Sequence, residues 1–120
     1  MSIRGIRGAI QIDADEPTVM REGVVELMST IMTSNSLAVE DLISVLFTCT
    51  PDLISDFPAA SARAMGLGNV PLLCAVEMAV PESLPRTIRV LVHASTNLSQ
   101  QEVSHIYLRG ATVLRKDLAQ

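Results

Sequence analysis

Arg7, Glu77, Arg89 and Tyr107 are polar side chains in otherwise apolar, strand-like stretches, at positions where alternation turns them off the core face. An arginine among apolar neighbours on a strand is costly unless a carboxylate or a ligand answers its charge. Two arrangements meet that demand. Either Glu77 pairs with one arginine as a buried salt bridge, or the arginines form a site for an anion. Other carriers of chemistry are poorly represented. No GxGxxG occurs, and Gly66-Leu-Gly68 reads as a helix stop rather than a phosphate loop. The single lysine, Lys116, lies near the end of the chain, and no serine sits in a nucleophile elbow. His93 and His105 stand apart from any Cys or Asp at ligand spacing, and both read as structural. Cys49 and Cys74 show no CxxC spacing, so neither a disulfide framework nor a zinc site is indicated. Metal, cofactor and covalent chemistry are all unsupported, and the expected cofactor set is none.

The composition narrows the field further. At 120 residues, 48% of them hydrophobic, the chain is long enough for one domain spanning 1–120 with a real core, and it is too apolar to be disordered. Nine basic against thirteen acidic side chains give a net charge of −4, which argues against a nucleic-acid partner bound by charge. No apolar run reaches the ~20 residues of a membrane span. The N-terminal MSIRGIRGAI carries charge within its apolar stretch and is unlike a secretory signal, so a cytoplasmic, reduced protein is expected. Eight of the nine cations are arginine. Codon bias explains such a skew, and so does the placement of guanidinium forks opposite carboxylates.

These residues are positioned by a readable series of elements. Residues 3–12 alternate as a strand, with Ile6, Ile10 and Ile12 on one side and Arg7 on the other; Gly5 and Gly8 admit a close neighbour. Asp13, Asp15, Glu16 and Pro17 mark a helix start. Val19, Met20, Val24, Leu27, Met28, Ile31 and Met32 then recur at helical spacing up to 34–36. A short turn at 39–42 leads into a strand at 43–48, broken by Thr50-Pro51-Asp52. A second helix is expected over 59–65, ending at Gly66 and Gly68. Strands follow at 72–80 and 87–94, the latter with Ile88, Val90 and Val92 opposite Arg89, Leu91 and His93. Ser99 and Glu102 fit a capping box for a short helix, residues 106–108 a last short strand, and 111–114 a final segment before a charged tail. The order β-α-β-α-β-β-α-β implies an α/β or α+β domain with a mixed sheet.

Several stretches together resemble one enzyme family. Ile3-Arg4-Gly5-Ile6-Arg7-Gly8-Ala9, Thr50-Pro51-Asp52-Leu53 and Phe57-Pro58-Ala59 with Arg63 are similar to the trimeric, pseudo-α/β-barrel class of chorismate mutase. The likeness continues through Val70-Pro71 to Cys74, Glu77-Met78, Ile88-Arg89-Val90, and His105-Ile106-Tyr107-Leu108 to Val113-Leu114-Arg115. It runs in order over nearly the whole chain. The resemblance implies a homotrimer with active sites between subunits and the Claisen rearrangement of chorismate to prephenate, a shikimate-pathway step towards phenylalanine and tyrosine. By this likeness Arg89 meets the ether oxygen as its bond to carbon breaks, and Glu77 accepts the ring hydroxyl with Cys74 beside it. Arg7 and Tyr107 hold the substrate and its side-chain carboxylate, while Phe57, Arg63, Leu73, Leu114 and Arg115 line or close the cleft.

Two positions depart from the family pattern. Ala60 stands where a lysine is frequent, which removes a cation at the mouth, and the tail ends at Gln120, soon after Arg115. A further tension lies at Cys74 and Glu77. Three apart on a regular strand, they face opposite ways, so one site uses both only if the strand bulges or ends between them, or if Cys74 acts through its backbone. Strand parity also turns Arg89 and Tyr107 to a face that is open to water in a single chain, where a neighbouring subunit is the natural cover. The rival reading is a non-catalytic trimeric protein that binds a small carboxylate metabolite in the same arginine pocket.

Overall fold

The computed structural model describes residues 1–115; the tail from 116 on, whose shortness set it apart from the family pattern, lies outside the described residues. Five strands form one mixed sheet in the order β3-β2-β4-β1-β5. They are β1 (Ser2–Gln11), β2 (Leu42–Cys49), β3 (Leu72–Val76), β4 (Thr87–Thr96) and β5 (Ile106–Leu108). The β1–β4 pair is antiparallel over its full length, from Ser2 opposite Thr96 to Gln11 opposite Thr87. β2 flanks β4 antiparallel, with an irregularity between Leu42 and Ser44, while β3 and β5 pair in parallel with β2 and β1.

The helix α1 (Pro17–Ser34) covers one face of this sheet, as its 3.6-residue periodicity requires. Its Met20, Val24, Leu27, Met28 and Ile31 are fully buried in one cluster with Ile6, Ile10, Phe47, Ile88 and Val92. Burying a side chain of this size contributes roughly 1.5–3 kcal/mol, so this layer carries most of the hydrophobic stabilisation. Helix and sheet approach closely at Gly23, where an added Cβ would lie 2.6 Å from Ile12 Cγ2. Ile12 is β-branched and buried, so it has little room to move. Gly23→Ala is therefore expected to destabilise the fold by about 1–3 kcal/mol through overpacking, although alanine is the better helix former. A urea unfolding curve with an unchanged midpoint would contradict this.

The remaining elements refine the expectations. A 3-10 turn (Val39–Asp41) precedes β2, and α2 (Pro58–Ala62) runs into a wide π-type turn over Arg63–Leu67. Gly66 reverses the chain there at φ 108°, a conformation that glycine adopts without steric cost. Three outcomes differ from the sequence reading. β3 ends at Val76 rather than at residue 80, because its partner β2 ends at Cys49 and Thr50 turns away to hydrogen-bond Thr87. Ser99 and Glu102 do make the reciprocal bonds of a capping box, at 2.8 and 3.2 Å, but they close a single turn rather than a helix. The chain must reach β5 within three more residues, which leaves no length for a helix. The third concerns Tyr107, which is only 7% exposed. A 3-10 segment (Arg109–Arg115) folds back over it, with Ala9 and Ala111 fully buried beside it and Leu84 and Leu114 at the margin.

Candidate active site

Strand register brings the polar residues together on the face away from α1. Tyr107, Ala9, Arg89 and Thr48 stand side by side across β5, β1, β4 and β2. Their strand neighbours Gly8, Ile10, Ile88, Val90 and Phe47 are buried on the α1 side, so this row points the other way. The next row on the same face is Arg7, Leu91, Leu46 and Leu73. Arg7 and Arg89 are thus diagonal neighbours on β1 and β4, about 7–8 Å apart at the backbone in such a ladder. Two forked cations share one patch of sheet.

Glu77 meets this patch from the end of β3. Its backbone N–H donates to the Cys49 carbonyl at 2.8 Å, the last rung between β3 and β2. Thr48 Oγ1 donates to Glu77 Oε2 at 2.8 Å, and the Met78 N–H reaches Oε1 at 3.3 Å. Arg89 Nη1 lies 3.6 Å from Glu77 Oε2, an ion pair too long for a direct hydrogen bond. With 42% of the arginine side chain and 26% of the glutamate still exposed, this is not a buried salt bridge. Partial desolvation raises the Glu77 pKa, but the Thr48 and Met78 bonds and the Arg89 charge outweigh it and hold the carboxyl below its ordinary value.

Glu77 is therefore an anion at neutral pH, and it loses its charge only when acid takes the pH below the ordinary glutamate range. Thr48→Val removes the shortest of these bonds. The Glu77 pKa should rise toward that of a free glutamate, read as an upward shift of the midpoint when its carboxyl carbon is titrated by NMR. An unmoved midpoint would mean that Thr48 does not hold the charge.

Arg7 is fixed through its backbone, whose N–H donates to His105 Nδ1 at 3.0 Å. An imidazole accepts there only when neutral, with its proton on Nε2. Burial lowers the His105 pKa, and the positive charges of Arg7 and Arg115 lower it further, so the neutral form prevails. The expectation that His105 is structural thus acquires a detail: it sets the strand position of Arg7.

Cys74 stands on the opposite face. It pairs in register with Phe47, and its side chain packs against the main core. The parallel ladder is bonded through Pro71 and Glu77, so the intervening odd-numbered residues turn their backbone groups toward β2. The N–H and carbonyl of Cys74 consequently point out from the free edge of the sheet. β3 ends at Val76, between Cys74 and Glu77, so the regular alternation that set them on opposite faces does not extend to Glu77. The Cys74 thiol instead lines a cleft of about 330 Å³ with Cys49, Leu53, Phe57, Pro58 and Val76. Burial, and next the proximity of Cys74, push the Cys49 thiol up to about 12, so it stays protonated.

The anticipated residues thus fall into groups. Arg7, Arg89, Glu77 and Leu73 share the open sheet face or its end, while Tyr107, in the same row, is covered by the 3-10 segment with Leu114 at its margin. Arg115 ends the 3-10 segment near His105. Phe57, 67% exposed, and the Cys74 side chain belong to the cleft beside the edge of β3. Arg63 is exposed on the π-type turn. Sequence reasoning passed over Thr48, whose pairing with Arg89 depends on a register that no local pattern contains.

The family model described as Chorismate mutase type I matches residues 3–118. The chain belongs to this chorismate mutase family. Chorismate mutase AroH of Thermus thermophilus is 47% identical over 117 residues, covering 97% of this chain and 96% of that relative. Chorismate mutase AroH of Bacillus subtilis (strain 168) is 37% identical over 120 residues, covering 99% and 94%. Among solved structures, a chorismate mutase from Clostridium thermocellum superposes with a TM-score of 0.89 at 37% identity, over 91% of this chain and 97% of that one. The family resemblance read from the sequence is borne out over nearly the full length, and the mixed-sheet chorismate mutase fold with it.

Proposed function

We propose that this protein carries out the chorismate mutase reaction, the rearrangement of chorismate to prephenate, at the patch formed by Arg7, Glu77, Arg89 and Tyr107. Its family and its relatives make it an enzyme, a chorismate mutase. The observation that carries the assignment of the site is the Arg89–Glu77 pair, partly exposed and preset by Thr48.

A Claisen rearrangement breaks a C–O bond and forms a C–C bond in one concerted step, with no proton transfer and no nucleophile. Its demands are a compact, chair-like substrate pose and stabilisation of the negative charge that develops on the ether oxygen. In this reading the Arg89 guanidinium binds that oxygen more strongly as the bond opens, which lowers the barrier rather than merely tightening binding. Glu77, kept anionic, accepts the ring hydroxyl and at the same time holds Arg89 in place. Arg7 and Tyr107 take the carboxylates, and the outward N–H and carbonyl of Cys74 offer further polar contacts at the sheet edge. A dicarboxylate approaching a protein of net charge −4 is drawn by this local pair of cations rather than by the overall field.

The assembly we propose is a homotrimer. Leu46, Leu73 and Leu91 lie in one row of the face opposite α1, and Leu73 is 65% exposed. Within one chain the Phe57 cleft and the Arg89 patch lie on opposite sides of the β2–β3 edge. A neighbouring copy laid over that edge would bring its Phe57, Arg63, Leu114 or Arg115 to the patch and exclude water from it. The location we propose is the cytoplasm, where the substrate is made. The test is direct. Purified protein should consume the chorismate absorbance well above the uncatalysed rate, with prephenate identified by its acid conversion to phenylpyruvate. A rate no greater than background overturns the function.

A further inference from the structure

The loop between β2 and α2 carries Phe57 and forms most of the wall of the 330 Å³ cleft, through Leu53, Ile54, Ser55 and Asp56. Its ends are anchored: Leu53 and Pro58 are buried, and the Arg86 N–H donates to Asp52 Oδ2 at 2.8 Å. Between those ends, one side chain from outside the loop hydrogen-bonds its backbone among the described residues. That side chain is Asp15. Its Oδ1 accepts from the Ile54 N–H at 3.1 Å and the Ser55 N–H at 3.0 Å, and its Oδ2 lies 3.2 Å from the Ile54 nitrogen. Phe57 continues this run of backbone, its N–H turned onto Asp56 Oδ1 at 2.7 Å.

In sequence Asp15 reads as one of the acids that start α1. The structure uses it otherwise. The residue at the helix N-cap is Glu16, which makes no side-chain capping bond, and the Asp15 carboxylate faces the loop about forty residues away. Because Asp15 directly precedes the rigid start of α1, with Pro17 in its first turn, it ties the loop to the most deeply buried helix of the fold. Desolvation raises the Asp15 pKa, but hydrogen bonding from Ser55 and Ile54 outweighs it and keeps the carboxyl ionised at neutral pH.

We infer that Asp15 is a positioning residue for substrate capture, acting through the Ile54–Phe57 segment to hold Phe57 at the cleft. The inference rests on the chorismate mutase reading, in which that cleft borders the substrate. Asp15 touches none of the groups assigned to the chemical step. Its loss should therefore weaken capture and leave the barrier within the bound complex nearly as it was.

The experiment is steady-state kinetics on the purified, full-length enzyme with chorismate, for wild type, Asp15→Asn, Phe57→Ala and the double variant. Asp15→Asn should raise KM about tenfold and change kcat less than threefold. In the Phe57→Ala background the same substitution should raise KM less than twofold, because the side chain it positions is already gone. A role confined to helix α1 would lower the melting temperature and leave both KM and this non-additivity unmoved. Amide hydrogen exchange supplies a readout independent of turnover and of whether a variant folds: Ile54 and Ser55 should be protected in the wild type. An inactive wild type overturns the mutase reading. An active wild type overturns the Asp15 inference if Asp15→Asn keeps its KM, if the effect is undiminished without Phe57, or if the Ile54 and Ser55 amides exchange freely.

Discussion

Replacing Arg89 with lysine should leave the fold and assembly intact and remove most of kcat, by about 10²–10³ with KM changed far less. The charge survives this substitution, so a long-range electrostatic role for Arg89 predicts little loss. What disappears is geometry. Guanidinium presents several donors in one plane, so one edge can lie against Glu77 while another meets the ether oxygen of the substrate. An ammonium is a point donor, and Glu77, fixed by Thr48 and the Met78 N–H, competes for it directly. The lysine would be held by the glutamate just when charge develops on the substrate. Circular dichroism and sedimentation establish that the variant is intact, and stopped-flow absorbance gives kcat. Near-normal turnover would remove Arg89 from the centre of the mechanism.

Substituting Leu91 with aspartate should dissociate the proposed trimer and abolish activity with it. Leu91 lies on β4, the middle strand of the sheet, opposite Leu46 on one side and Arg7 on the other. In an isolated chain a carboxylate there faces water and is tolerated, even favoured by its arginine neighbour. Buried against another subunit it must lose its hydration, at a cost of several kcal/mol for each copy that the contact does not repay. Sedimentation velocity should show a folded monomer for the variant and the proposed trimer for the wild type. A wild type that is itself monomeric, or an Asp variant that stays trimeric and active, would refute the interface.

The sequence made much of the scaffold legible, because two periodicities are local. Alternation in β1 and β4 and the 3.6-residue recurrence in α1 each state which side is apolar, and a single helical face pins both sides of the contact. The end of β3 was not legible. Val76-Glu-Met-Ala-Val80 has strand-like composition, but the stop comes from the neighbouring strand running out at Cys49, which is information held elsewhere in the chain. Tyr107 shows the same limitation: its parity was readable, but the 3-10 segment that folds back over it was not. The site divides in the same way. Arg7, Glu77, Arg89 and Tyr107 announced themselves as polar residues in apolar strands, and family resemblance suggested what each does. Their juxtaposition rests on two strand registers, and the roles of Thr48 and Asp15 exist only once those registers and the loop beside α1 are formed.

The placement of β1 between β4 and β5 has a consequence for how the molecule comes into being. The first strand of the chain finds its two partners only in residues 87–96 and 106–108. Its core-facing side chains can pack against α1 as soon as both have been made, but its hydrogen-bonding strands come only from residue 87 onward. Closing such distant pairs gives little stabilisation until residues 87–108 are also available, so folding should be slow for a domain of this size. During that interval β1 is an unpaired apolar strand, and it is there that crowding or a missing chaperone would first divert the chain toward aggregation.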